Sequence, residues 1–153
     1  MEHDSMEHES LEFAVTVSGT YWDKKPQFSL WLDDHIVIQT SISSESQQTH
    51  EFTRTLEEGE HTLSIRLENK LPNDTQIVNG EVTNDMILNI NEIEVENISL
   101  GHLLWDAEYK LDKPQQYQGK EITQLAKCVN LGWNGTYVLK FSSPFYIWLL
   151  EKL

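Results

Sequence analysis

Alternation of apolar and polar residues at period two constrains this chain more than any other feature. Successive side chains of a strand point to opposite faces, so an alternating run reads as a half-buried strand. His61-Thr-Leu-Ser-Ile-Arg-Leu-Glu-Asn69 places Leu63, Ile65 and Leu67 on one face. Leu11, Phe13, Val15 and Val17 do the same in a first strand, and Phe28, Leu30 and Leu32 in a second. That second strand turns Trp31 to the opposite side. Further strands are expected over 36–40, 50–56, 85–90 and 136–141. Asp33-Asp34 and Glu57-Glu-Gly-Glu60 read as the turns between them.

One slip of phase is informative. Met86, Leu88 and Ile90 share a parity, whereas Ile93 and Val95 have the other, and Ile98 and Leu100 return to the first. An extra residue is needed at each change, which predicts a bulge near Asn91-Glu92 and a break near Glu96-Asn97. From 101 to 130 the alternation fades. Short helical turns are expected over 101–109 and 121–128, with a polar loop over 110–120. Ser142-Ser-Pro144 breaks the last strand before a very apolar segment. Long amphipathic helices and 20–50-residue repeats are not visible. The fold class expected is all-β, an antiparallel jelly-roll-like β-sandwich with a short C-terminal aromatic segment. Residues 11–153 form its single domain, and residues 1–10 read as a flexible acidic leader.

Charge narrows the partners. Twenty-five Asp and Glu against 11 Lys and Arg give a formal net charge of −14. Nucleic acid and anionic membrane surfaces both demand a basic patch, and neither is an expected partner. No signal peptide is recognisable at Met1, so the three Asn-x-Ser/Thr matches at Asn73, Asn97 and Asn134 read as chance. The lone Cys128 has no partner for an internal disulfide. Catalytic signatures are equally sparse. The chain has no Gly-x-Ser-x-Gly elbow, Walker A loop, dinucleotide glycine fingerprint or His-Glu-x-x-His helix. The expectation is a protein that is not an enzyme.

Three constellations remain. The loop between 61–69 and 85–90 is rich in oxygen-bearing side chains, and Asn69, Asp74 and Asp85 are its candidate metal ligands. Calcium is the ion such donors suit, since it takes about six to eight oxygens. Tyr21, Trp22 and Trp31 are candidate carbohydrate platforms, because a flat ring stacks on a pyranose face. Trp105 and Trp133 read as core or interface residues. Phe145-Tyr-Ile-Trp-Leu-Leu150 is six consecutive apolar residues in a very acidic chain. Its Phe145, Tyr146, Trp148 and Leu149 are candidate contacts with a second copy or another protein.

The order Gly19-Thr-Tyr-Trp22, Leu32-Asp-Asp-His-Ile36, Gly59-Glu-His-Thr-Leu-Ser-Ile-Arg66, Asn69, acidic loop, Asp85-Met-Ile-Leu-Asn-Ile-Asn-Glu-Ile93 resembles the calcium-dependent xylan-binding type of carbohydrate-binding module. The resemblance implies a jelly-roll-like β-sandwich, with Asp74 and Asp85 at acidic calcium-loop positions and Asn69 near them. Lys70 departs from it, since such modules tend to carry an acidic residue there. The segment Gly132-Trp-Asn-Gly-Thr-Tyr137 through Glu151 is similar to proteins of tailed marine phages, especially those infecting cyanobacteria. Together these imply a non-catalytic virion protein, decorating a capsid or built into a tail or fibre. It would be made in the host cytoplasm and assemble with itself or other virion proteins. The alternative is a free carbohydrate-binding module, with or without calcium.

Overall fold

A computed structural model describes residues 7–153. In chain order its strands are β1 (His8–Thr20), β2 (Gln27–Leu32), β3 (His35–Ser41), β4 (Gln48–Glu57), β5 (Gly59–Leu67), β6 (Gln76–Val78), β7 (Glu81–Asn84), β8 (Ile87–Val95), β9 (Ile98–Ser99), β10 (Glu108–Tyr117), β11 (Lys120–Ala126), β12 (Asn130–Leu131) and β13 (Gly135–Ser143). Short 3-10 turns occupy Pro72–Asp74 and Gly101–Asp106, and one α-helix, α1, spans Phe145–Lys152. One sheet has the order β12-β8-β1-β4, with β9 added to β8; the other has the order β11-β10-β13-β5-β2-β3. A separate hairpin pairs β6 with β7. Every pairing is antiparallel.

The inner faces of the two sheets make the core. Leu11, Phe13, Val15 and Val17 of β1 are sealed, as are Phe28, Leu30 and Leu32 of β2, Leu63, Ile65 and Leu67 of β5, and Tyr137, Leu139 and Phe141 of β13. The alternation read along each strand is therefore the alternation between core and solvent. The slip along β8 is a bulge. Thr16 of β1 pairs with Glu92 and Val17 with Ile90, so Asn91 has no opposite number. That one extra residue lets Ile90 and Ile93 both face inward. At Glu96 and Asn97 both residues take positive φ and the chain reverses into β9, the break expected there.

Two expectations differ from the structure. Residues 110–120 were expected as loop and 121–128 as a helical turn, yet Glu108–Tyr117 and Lys120–Ala126 form a hairpin turning at Gln118-Gly119. Its strands are largely solvated, so little apolar periodicity marks them. The C-terminal segment is the second. Phe145, Trp148 and Leu149, expected at an interface, lie in the chain's own core, while Tyr146 is exposed with Ile147 and Leu150. Helical spacing explains the split: 145, 148 and 149 share the buried face of α1. Glu9 of β1 fixes the helix start, its carboxylate accepting from Ser143 Oγ and from Phe145 N at 2.7 Å. The acidic leader expected over 1–10 lies mostly outside the described residues, and His8–Ser10 already belong to β1.

The sandwich has two distinct ends. Turns 33–34, 57–59 and 96–97 and helix α1 close one. The other, the crown, carries loops 21–26, 42–47, 68–86 and 127–134 and the projecting β10–β11 hairpin. At the closed end His61 Nδ1 lies 2.8 Å from Asp33 Oδ2, and its Nε2 lies 2.6 Å from the Glu57 carbonyl. Burial disfavours the imidazolium, but the Glu57 and Asp33 hydrogen bonds and the nearby negative charge outweigh it and raise the pKa above 6.5. The charged form thus stabilises the fold fully below pH 6.5, and that contribution is lost as pH rises through the higher folded value. The stability difference between the protein and His61→Gln, measured by urea unfolding, should be larger in mildly acidic than in alkaline buffer. It should stay below about 1 kcal/mol, as for a partly solvated pair.

Candidate functional site

Ile42, Met86 and Leu131 anchor the crown loops to the core, and polar clips fix the rest of their backbone. Asn69 is one. Its Oδ1 accepts from Gln27 N at 2.8 Å and its Nδ2 donates to Lys25 O at 3.0 Å, tying loop 21–26 to the end of β5. Asn134 is another: its Oδ1 accepts from Lys70 N at 2.8 Å and its Nδ2 donates to Lys70 O at 2.9 Å. Each amide imitates a strand partner for one stretch of backbone. The Tyr109 phenol donates to the Trp133 carbonyl and accepts from Trp133 N at 2.9 Å. Burial pushes that phenol well above its ordinary pKa, so it stays protonated as a donor. Gly135 permits this close packing. A Cβ there would sit 2.4 Å from the Lys110 carbonyl and 3.0 Å from the Tyr109 ring.

These clips frame a hollow of about 420 Å³ between segment 70–75, the base of the β10–β11 hairpin and loop 133–134. Trp133 and Leu71 give it apolar surface, and Lys70, Asp112, Gln115 and Asn134 give it polar groups. Tyr117 stands edge-on to Trp133, with ring centroids 6.1 Å apart. Asp112 is oriented by Arg66, which holds both its carboxylate oxygens at 3.0 and 2.7 Å.

The residues singled out from the sequence do not converge on one platform. Trp22 is exposed at the crown, its indole N–H donating to the Asp74 carbonyl at 2.9 Å. Tyr21 precedes it and packs against the core. Trp31 lies on the outer face of the second sheet, donating to Ser29 Oγ at 2.7 Å. Trp133, expected in the core or an interface, lines the hollow instead. Its neighbours in space come from two distant segments, 70–75 and β10, and only the sequence run Gly132-Trp-Asn-Gly135 marks it as a loop.

The metal candidates are also separated. Asn69 is committed to backbone. Asp74, 1% exposed, pairs with Lys24 Nζ at 2.7 Å from Oδ2, and the same oxygen accepts from Leu71 N. Its Oδ1 has no hydrogen-bond partner among the described residues. Asp85 Oδ1 accepts from Thr75 Oγ1 at 2.6 Å and Met86 N at 2.9 Å, and Lys70 Nζ lies 2.7 Å away. Burial opposes the charged carboxylate, but these donors and the ammonium charge prevail and hold its pKa below the usual carboxylate value. No group of three His, Cys, Asp or Glu is placed to hold a metal among the described residues. One orphaned oxygen is far from a calcium cage of about six to eight, and two ammonium groups already neutralise the carboxylates. This arrangement does not fit calcium.

A polar, aromatic-lined hollow thus sits among the end loops of a two-sheet antiparallel sandwich. Residues 12–102 match the calcium-dependent, xylan-binding carbohydrate-binding modules, family CBM60. The chain belongs to that family. Two solved structures share the fold. A selenomethionine form of vCBM60, reported with a circular permutation linking two families of calcium-dependent carbohydrate-binding modules, superposes with a TM-score of 0.57 at 12% identity, covering 84% of this chain and 89% of that one. vCBM60 in complex with galactobiose gives 0.53 at 10% identity, covering 84% and 96%. No curated protein matches the chain.

Replacing Tyr109 by Phe removes both clips to Trp133 and leaves that backbone partly unsatisfied. The expected loss is about 1–3 kcal/mol in urea unfolding. A change in the near-ultraviolet circular dichroism of the Trp133 environment should accompany it.

Proposed function

We propose that this chain is a non-catalytic glycan-binding module and that its glycan occupies the crown hollow. One juxtaposition carries the reading: the Trp133 side chain lines the same hollow as Lys70, Asp112, Gln115 and Asn134. An aromatic surface takes an apolar pyranose face, and amide, carboxylate and ammonium groups orient the hydroxyls around it. Family membership supports the ligand class. Xylo-oligosaccharides, from the family's description, and galactobiose, from the vCBM60 complex, are the first ligands to try. Trp133→Ala should weaken binding by roughly tenfold in isothermal titration, the value of a lost stacking contact of about 1–1.5 kcal/mol. Unchanged affinity would move the site to Trp22 or to Trp31.

A second reading sets the same module in a phage particle, as a decoration or fibre protein made in the host cytoplasm. The observation favouring it is the strip of Tyr146, Ile147 and Leu150, all exposed on α1. An apolar strip of this kind suits contact with a second copy or another virion protein. Because α1 closes the end opposite the crown, assembly through it leaves the hollow facing outward. Light scattering after size-exclusion chromatography should then report an oligomer, and Leu150→Glu should reduce it to a monomer. A monomer at every concentration removes this reading and leaves a free module.

A further inference from the structure

Lys70 is an unusual residue to find at the centre of a loop cluster. Its side chain is 10% exposed. The ammonium lies 2.7 Å from Asp85 Oδ1 and donates to the Gly132 carbonyl at 2.5 Å. It therefore joins three segments: its own, the entry to β8 and the approach to β13. The Asn134 amide holds the Lys70 backbone from both sides, so the side chain starts from a fixed point. Lys24 treats the buried Asp74 in the same way. A chain with only 11 basic residues against 25 acidic ones spends two lysines on this one loop. A divalent ion brought to Asp85 would meet the ammonium of Lys70 at close range, and like charges in a partly desolvated site repel strongly.

We infer that Lys70 is a built-in cation, which bridges the loops around the hollow in the manner of a divalent ion and makes the crown independent of calcium. That the hollow then takes its glycan without metal rests on the glycan-binding reading; the bridge itself does not. A tethered ammonium is present at every calcium concentration and adds no cost of capturing a free ion. It also leaves no open coordination position, so ligand recognition falls to the side chains of the hollow.

Thermal melting in chelator and in millimolar calcium tests the bridge, first on the unaltered protein and then on Lys70→Met and Lys70→Arg. The unaltered protein should melt at the same temperature in both buffers. Lys70→Met, which keeps the bulk and removes the charge, should melt roughly 5 °C lower. Lys70→Arg should recover most of that loss, which a purely steric role for the side chain does not predict. A lower melting temperature of the unaltered protein in chelator overturns the inference, and so does Lys70→Met melting like the parent. Titration of xylo-oligosaccharide or galactobiose under the same two conditions separates the readings. Binding that requires calcium ends the inference and keeps the glycan site, whereas no binding in either buffer ends the glycan site and leaves the melting result to stand.

Discussion

Burial of one apolar layer between two sheets is the constraint on which everything else in this molecule depends. Leu11, Phe13, Val15 and Val17 of β1 share that layer with Leu63, Ile65 and Leu67 of β5, and all are essentially sealed from water. Each such side chain contributes about 1.5–3 kcal/mol on burial, enough in sum to set the register of every central strand. A slip of one residue would turn these faces to solvent. The slip at Asn91 is built into the pattern as a bulge and keeps both halves of β8 facing inward.

That layer also decides where the long loops are placed. Strands of an antiparallel sandwich deliver their loops to two ends. Here one end is closed by tight turns and by α1, whose Phe145, Trp148 and Leu149 extend the core. The crown receives the long connections, anchored to the core by Ile42, Met86 and Leu131. Its shape is also held by groups with fixed hydrogen-bonding geometry, two asparagine amides, one phenol and two lysine–aspartate pairs. Such contacts are individually modest, and removing one partner is costly because it strands the other away from water. The conformation of the crown loops thus depends on paired polar groups as well as on the core beneath them.

The closeness to a calcium-dependent family and the presence of lysines at the carboxylates are compatible once scaffold and site are kept apart. The match over residues 12–102 spans β1 to β9 together with the loop that carries Lys70, Asp74 and Asp85. Core packing does not dictate the charges in that loop. Here the ammonium of Lys70 neutralises Asp85 in a loop whose backbone is clipped in place by Asn134.

Much of the architecture was legible along the chain. Alternation identified β1, β2, β5, β8 and β13, the parity change located the bulge, and the resemblance of residues 11–98 to xylan-binding modules identified the family. Beyond the buried Tyr109, the side chains of β10 and β11 are largely solvated, so little periodicity marks the hairpin. The hollow was the least legible part. Tyr21, Trp22 and Trp31 stand out as aromatic residues, yet the hollow is built around Trp133, because its lining comes from segments 70–75, 112–115 and 133–134 that only the sheet pairing brings together. Asn69, Asp74 and Asp85 are the oxygen donors that composition singles out, but composition does not say which way a side chain points. By itself the order of residues determined the two-layer fold, since burial acts on a local pattern of period two. Which carboxylate met which lysine, and which tryptophan faced the hollow, was decided only by tertiary structure, because those contacts join positions far apart in the chain.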